Sequence, residues 1–279
     1  MLALYAEHHA PTTADPARIG YAIAALLRWW GESTVSHVTA ATCRRYAATR
    51  GVMPGTVRRE LTALRAAMNW CRTEGYLTHV PPVVLPPRPP GSERWLTRSE
   101  AALLLRTTRR IAPHLVPFVL VGLYTGTRAT AILNLGFEPH PSGGWLDLDN
   151  GILHRAAASS RRTAKRQPPA RLPARLIAHA KGWRRRQRWV VEWRGERVGS
   201  IKTAWRKTRD ATGLEGLKRH TLRHTAITWA MQAGVPLYDA AGYFGITAEE
   251  LERTYAHHHP DWQRSTADAM ERGGRRSAQ

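Results

Sequence analysis

Apolar positions recur at helical spacing through the first part of the chain. Ile19, Ala22, Ile23, Leu26, Leu27 and Trp30 follow a 3.6-residue period. Asp15 and Pro16 ahead of them are the residue types of an N-cap and a first helical position. A second, shorter helix is predicted over 39–51. A third carries Val57, Leu61, Leu64, Met68 and Cys71 on one face and stops at Gly75. The proline-rich run 81–90 then interrupts the pattern, because repeated prolines favour an extended chain over a helix interior. Helical spacing restarts at Thr97, where Thr97 and Glu100 fit a capping box, and continues to about Tyr124 and again over 127–135. The period then shortens. Trp145, Leu146, Asp147 and Leu148 on one side, and Ile152 and Leu153 on the other, flank Asp149-Asn150-Gly151, a hairpin signal. A basic strand pair is expected around 160–172. Helices follow from Pro173, with a short strand at 189–193.

This order predicts a mainly α chain with a small β-sheet. A helical domain spans 1–80, a proline-rich linker 81–93, and a mixed α/β domain 94–279 with a polar C-terminal tail after Trp262. No internal repeat is evident.

Charge changes the picture most. Among 279 residues, 42 are Lys or Arg and 21 are Asp or Glu, a formal net charge of +21. The excess points to a polyanionic partner, with nucleic acid ahead of an anionic membrane surface. A hydrophobic fraction of 43% excludes a disordered chain. No apolar run reaches the length of about 18 residues that a membrane span needs, and no signal pattern opens the chain. A cytoplasmic, DNA-associated protein is therefore expected, with Cys43 and Cys71 as buried reduced thiols rather than a zinc pair. Arg58, Arg59 and Arg65 form either a solvated face or a phosphate-contacting one. Trp183, Trp189, Trp193 and Trp205 lie among dense basic residues. That interleaving suits a surface tracking a phosphate backbone, but core packing is the favoured reading for most of them.

Three separated features carry chemistry. In Thr125-Gly126-Thr127-Arg128, Gly126 ends one helix and leaves Arg128 near the N-terminus of the next, where backbone N–H groups favour an anion. In His220-Thr221-Leu222-Arg223-His224, the spacings i, i+3 and i+4 put His220, Arg223 and His224 on one helix face. A guanidinium and two imidazoles suit a phosphate. The two histidines also raise a metal site, but a zinc-protease helix needs Glu directly after the first His, and Thr221 stands there. Tyr255 falls near the end of a short helix capped by Thr247 and Glu250. By itself such a tyrosine is usually packing, and His257-His258-His259 a polar helix end.

Together these features resemble the tyrosine recombinase and phage integrase family over about 93–262. Thr125-Gly126-Thr127-Arg128 with Leu133-Asn134-Leu135 looks like its first-arginine box. His220 to Thr225, then Gly234 and Tyr243-Phe244-Gly245, looks like its second-arginine box. Tyr255-Ala256-His257 looks like its nucleophile box. The helical first part resembles the family's core-binding domain in size and position. The resemblance implies a mixed α/β catalytic domain and a DNA recombinase that needs no cofactor and no metal. Tyr255 is the implied nucleophile, forming a 3′-phosphotyrosyl link. Arg128 and Arg223 hold the phosphate, and His220 binds it or assists proton movement. Lys165, at the family spacing to Leu172-Pro173, is the implied general acid, and arginine's fixed charge makes it a poor substitute. Arg162, Arg166, His224 and His257 are candidate support for the phosphate or the site. The implied partners are double-stranded DNA, three further copies in a homotetramer on synapsed DNA, and a DNA-bending accessory protein, with no membrane. The tail after Trp262 is a candidate contact to a neighbouring copy.

Two positions depart from the family pattern. Ile246 stands nine residues before Tyr255, where a His or Trp is usual, and Ala131 stands where an acidic residue is common. They keep open a DNA-binding protein with a weakened site. A type IB-like topoisomerase would share the chemistry. A metal-dependent nuclease is disfavoured, because no acidic cluster is evident.

Overall fold

The computed structural model describes residues 1–89, 91, 94–157 and 166–276, with side chains described as far as 271. The chain divides into two units, Met1–Ser92 and Glu93–Gln279.

The first unit is helical because its apolar period is matched by its caps. α1 (Leu2–Leu4) runs into the turns Tyr5–His9 and Ala10–Thr12, and α2 (Pro16–Trp30), α3 (Ala40–Thr49) and α4 (Pro54–Thr73) follow. Asp15 accepts from Arg18 N at 3.2 Å, and Thr39 and Thr42 cap α3 reciprocally. Gly75 just beyond α4 has φ of +79°, a conformation that favours glycine. Ile23, Leu26, Trp30, Tyr46, Leu61, Leu64 and Met68 meet in one core. Leu2 and Tyr5 join that core, so the helical part begins well before Asp15. Buried Glu60 is satisfied by Tyr46 Oη at 2.7 Å and Arg50 Nη2 at 3.0 Å. The chain over 81–89 has no regular secondary structure, and Val83 and Leu85 pack against this helical core.

In the second unit, α5 (Arg98–Ile111) starts at a complete capping box between Thr97 and Glu100. It leads through a 3₁₀ turn into α6 (Val116–Thr125) and the short α7 (Ala129–Leu133). The helix expected over 127–135 is shorter, because Thr127 and Arg128 are not helical and Arg128 is the N-cap of α7. β1 (Trp145–Asp147) pairs antiparallel with β2 (Ile152–His154), and β2 pairs with β3 (Ala170–Arg171), giving the order β1-β2-β3. Asp147 accepts from Asn150 N and Nδ2, and Gly151 has φ of +66°, which together close the hairpin. Of the basic strand pair expected around 160–172, β3 is present, and 158–165 lie outside the described residues.

α8 (Ala174–Arg184) precedes a two-residue ribbon, β4 (Glu192–Trp193) with β5 (Glu196–Arg197). The strand expected over 189–193 is thus shorter. α9 (Lys202–Thr212), α10 (Thr221–Gln232), α11 (Leu237–Phe244), α12 (Ala248–Tyr255) and α13 (Arg264–Arg276) complete the unit. The result is mainly α with small sheets, as the sequence predicts. Core packing holds for Trp205, which is buried, and for Trp183, which packs on the core from its edge. Trp189 is half-buried against His140, and Trp193 is exposed beside His114.

α10 is the central strut. Leu222 packs into the core with α6, and Ile227 into the smaller cluster with α11 and α12. Thr225 Oγ1 accepts from Leu96 N at 2.9 Å, and Trp229 Nε1 donates to Leu96 O at 3.1 Å, which ties the start of the unit to α10.

Leu64 is fully buried, so Leu64→Ala should destabilise the first unit by about 2–5 kcal/mol, the usual range for leucine truncated in a core. A urea midpoint unchanged by that substitution would contradict the packing described.

Candidate active site

The three sequence features meet because a buried guanidinium must find hydrogen-bond acceptors. Arg223, on the first turn of α10, is 4% exposed. It donates to Gly126 O at 2.7 Å and to Phe244 O at 2.7 Å. Those two carbonyls belong to the turn after α6 and the end of α11. A second buried guanidinium, Arg155, follows β2. Its Nε donates to Thr127 Oγ1 at 3.1 Å, Nη1 to Pro168 O at 2.7 Å and Tyr243 O at 2.8 Å, and Nη2 to Thr125 O at 3.0 Å. Two cations therefore bind the ends of α6 and α11 and the segment before β3 into one frame. Burial pushes the pKa of each down to about 10, which leaves both charged at neutral pH.

Gly126 and Gly245 make the frame close. Gly126 has φ of +61°, and a Cβ there would stand 2.7 Å from Phe244 Cδ1. Gly245 has φ of +64°, and a Cβ there would meet Pro168 Cδ at 2.5 Å.

A cleft of about 550 Å³ opens beside this frame. Arg128, Arg166, His220, Arg223, His224 and Tyr255 line it, together with Ile246, Thr247 and Glu250. Arg128 is half-buried, and its Nη1 donates to Arg166 O at 2.8 Å. Burial pushes its pKa down, against the pull of Glu250. His220 is exposed, and its ring stands edge-on to His224 at 4.8 Å between centroids. Tyr255 closes α12 and is 7% exposed. Its Oη lies 2.5 Å from His224 Nδ1.

The cleft tunes these groups in opposite directions. Burial pushes the Tyr255 phenol up to about 12, although Arg223 pulls it down. Burial, then the nearby His220 and Arg223, push His224 down to about 4. His220 reaches solvent along one side, yet desolvation by the cleft wall, then the charges of Arg223 and Arg128, lower it as well. At neutral pH the cleft holds neutral imidazoles and a protonated phenol among fixed guanidinium charges. That set grips an oxyanion.

Of the residues named from sequence, Arg128, Arg166, His220, Arg223, His224 and Tyr255 share this cleft. His257 does not line it; its ring packs against His258 at 4.0 Å. Lys165 and Arg162 lie outside the described residues. Among the described residues no three or more His, Cys, Asp or Glu side chains converge on a metal position. Ile246 packs with Ala226, Ile227 and Phe244 in the cluster beneath α11 and α12. Sequence reasoning missed Arg155, one arginine among many, and Glu250, which read only as a helix-cap partner. Thr247 does accept from Glu250 N at 3.1 Å. A larger, mostly apolar cavity of about 710 Å³, lined by residues of α5, α6, α10 and α11, contains none of the named side chains.

No family model matches the chain. It is 24% identical over 221 residues to "Integrase" of Salmonella phage P22, an alignment covering 72% of this chain. The chain spans about half the length of that curated relative, since 53% of it is matched. Solved structures agree along nearly the whole chain. Lambda integrase bound to DNA superposes with a TM-score of 0.64 at 14% identity, over 94% of this chain and 96% of that one. The Tn1549 transposon integrase in complex with transposon right end DNA superposes at 0.70 and 14% identity, over 97% and 99%. A lambda integrase dimer bound to a COC' core site superposes at 0.65 and 13%, over 91% and 75%. The chain thus has the fold of the tyrosine recombinases. The resemblance to the tyrosine recombinase and phage integrase family, read from its motifs, is borne out.

Arg223→Ala would strip donors from two carbonyls buried with it. At about 1–3 kcal/mol for each unsatisfied group, we expect the second unit to lose roughly 2–6 kcal/mol in chemical denaturation. His224 supplies a test by pH. Its folded-state pKa of about 4 lies below the ordinary 6.5, so between those values the unfolded chain binds more protons. Stability should be fully present above about pH 6.5 and fall as pH drops towards 4. His224→Gln should flatten that slope in pH-dependent melting.

Proposed function

We propose that this chain is a site-specific DNA recombinase of the integrase type that cuts and rejoins strands through Tyr255. The observation that carries the reading is the convergence of Arg128, His220, Arg223 and Tyr255 on one cleft from three separate stretches of sequence. In this reading Tyr255 Oη attacks a backbone phosphorus and displaces the 5′ oxygen, leaving a 3′-phosphotyrosyl link. Arg128 and Arg223 stabilise charge on the non-bridging oxygens as it grows. Arg223 uses two of its five N–H donors on the frame, which leaves three for phosphate. Arg166 adds positive charge at the rim. Lys165 protonates the departing oxygen, a role supported by its spacing to Leu172-Pro173. The phosphotyrosyl link keeps the energy of the broken bond, so neither nucleotide hydrolysis nor a metal is required. The net charge of +21 supports double-stranded DNA as the partner. A homotetramer on two synapsed sites, an accessory protein that bends the DNA, and a DNA-binding role for the first unit belong to the same proposal.

Ile246 favours one second reading, a DNA-binding protein whose chemistry is weakened. It lines the cleft with a side chain that cannot donate a hydrogen bond. By analogy with an oxyanion-hole donor, one missing donor costs on the order of 10²–10³ in rate.

The two readings separate on nicked suicide DNA spanning the junctions beside the protein's own gene, incubated in EDTA and run on a denaturing gel. The wild type should give an SDS-resistant protein–DNA band that Tyr255→Phe abolishes. DNA binding without such a band would favour the second reading.

A further inference from the structure

Tyr255 needs a place for its proton. At a pKa of about 12, roughly one phenol in 10⁵ is ionised at neutral pH. Attack by a preformed phenolate would therefore be rare, and the proton must leave as the bond to phosphorus forms. The guanidinium groups around Tyr255 have no lone pair to receive it.

His224 does. Among the described residues, Tyr255 Oη has one hydrogen-bond partner, His224 Nδ1, at 2.5 Å. A phenol donates here only if Nδ1 carries the lone pair, so the contact fits the neutral tautomer with hydrogen on Nε2. Burial, with the charges of His220 and Arg223, keeps that imidazole neutral, and the facing Glu250 carboxylate acts the other way. His220 and Arg223 come from α10 itself, Arg128 stands at the start of α7, and Glu250 and Tyr255 come from α12. His220 makes no hydrogen bond to Tyr255 and stands exposed, which leaves it for the phosphate.

We propose that His224, rather than His220, is the catalytic residue that takes the Tyr255 proton during cleavage and returns it during rejoining. The proposal rests on Tyr255 being the nucleophile. In cleavage the Oη–P bond forms and the P–O5′ bond breaks. The phenol proton passes to His224 Nδ1, and O5′ takes a proton from a separate donor, for which Lys165 is the candidate. In rejoining the 5′ hydroxyl attacks, the Oη–P bond breaks, and His224 Nδ1–H protonates Oη. The imidazolium formed in cleavage holds the proton until rejoining, and the negative charges of the phosphotyrosyl diester and of the Glu250 carboxylate in the same cleft offset it.

The test compares wild type and His224→Gln in single-turnover cleavage of the nicked suicide DNA, each with Tyr255 either natural or replaced by fluorotyrosines of falling pKa. Glutamine keeps a hydrogen-bond acceptor beside Oη but is not a base. We expect His224→Gln to form the covalent complex about 10²–10³-fold more slowly, with DNA affinity unchanged within about twofold. That deficit should shrink steadily as the phenol becomes more acidic. A variant that cleaves like the wild type, or a deficit identical for every phenol, overturns the role of His224 and leaves the nucleophile standing. Absence of a covalent complex from wild type overturns both. Nitrogen-15 NMR of the histidine rings gives a readout independent of DNA. Nδ1 of His224 should be unprotonated at pH 7 and shift in Tyr255→Phe, while His220 stays unmoved; a protonated Nδ1 overturns the proposal.

Discussion

Two guanidinium groups buried in a protein interior must have hydrogen-bond acceptors, and here those acceptors are the loop ends that make the site. A desolvated charge without partners costs several kcal/mol. Arg155 and Arg223 avoid that cost by donating to Thr125 O, Gly126 O, Thr127 Oγ1, Pro168 O, Tyr243 O and Phe244 O. Each acceptor lies next to a residue of the cleft or one turn from it. The hydrogen bonds that satisfy the cations therefore fix where Arg128, Arg166 and the start of α12 stand. Folding of the second unit and assembly of the cleft are in this sense one event.

The same cations set the protonation states around them. Burial is the main force against a positive charge on His224 or His220, and the charge of Arg223 works in the same direction. Burial also holds the Tyr255 phenol protonated. A tyrosine and a neutral imidazole in a short hydrogen bond, inside a cationic cleft, form a proton donor and acceptor beside a surface built for an anion. Ile246 marks a different compromise. It fills the cluster under α11 and α12 and thereby strengthens the packing that seats Tyr255, at the expense of one donor to the cleft.

The N-terminal unit shows how far local signals reach. Asp15, Thr39 and Gly75 act at the helix ends where their chemistry put them, because capping is decided within a few residues. The short strands and turns were harder to bound. Arg128 lies outside the helix expected to contain it, since the φ of Gly126 and the bonds from Arg155 to Thr125 and Thr127 hold the preceding turn open. The first turns of the chain, Leu2 to Thr12, carried no periodic signal long enough to read, yet Leu2 and Tyr5 enter the core.

By itself the sequence determined the helical class, the small sheet, the polyanion-binding charge and the three motifs that carry Arg128, His220, Arg223 and Tyr255, because these depend on period, composition and spacing. The tertiary structure alone decided that His224 faces the tyrosine oxygen, that His257 does not line the cleft, that Glu250 does, and that Arg155 braces its frame. Those facts depend on contacts between residues far apart in the chain. The bond from His224 to Tyr255 spans 31 positions and that from Arg223 to Gly126 spans 97. No local pattern encodes such a pairing; it follows from the packing of α10 between α6 and α12 and from the acceptors that buried charge requires.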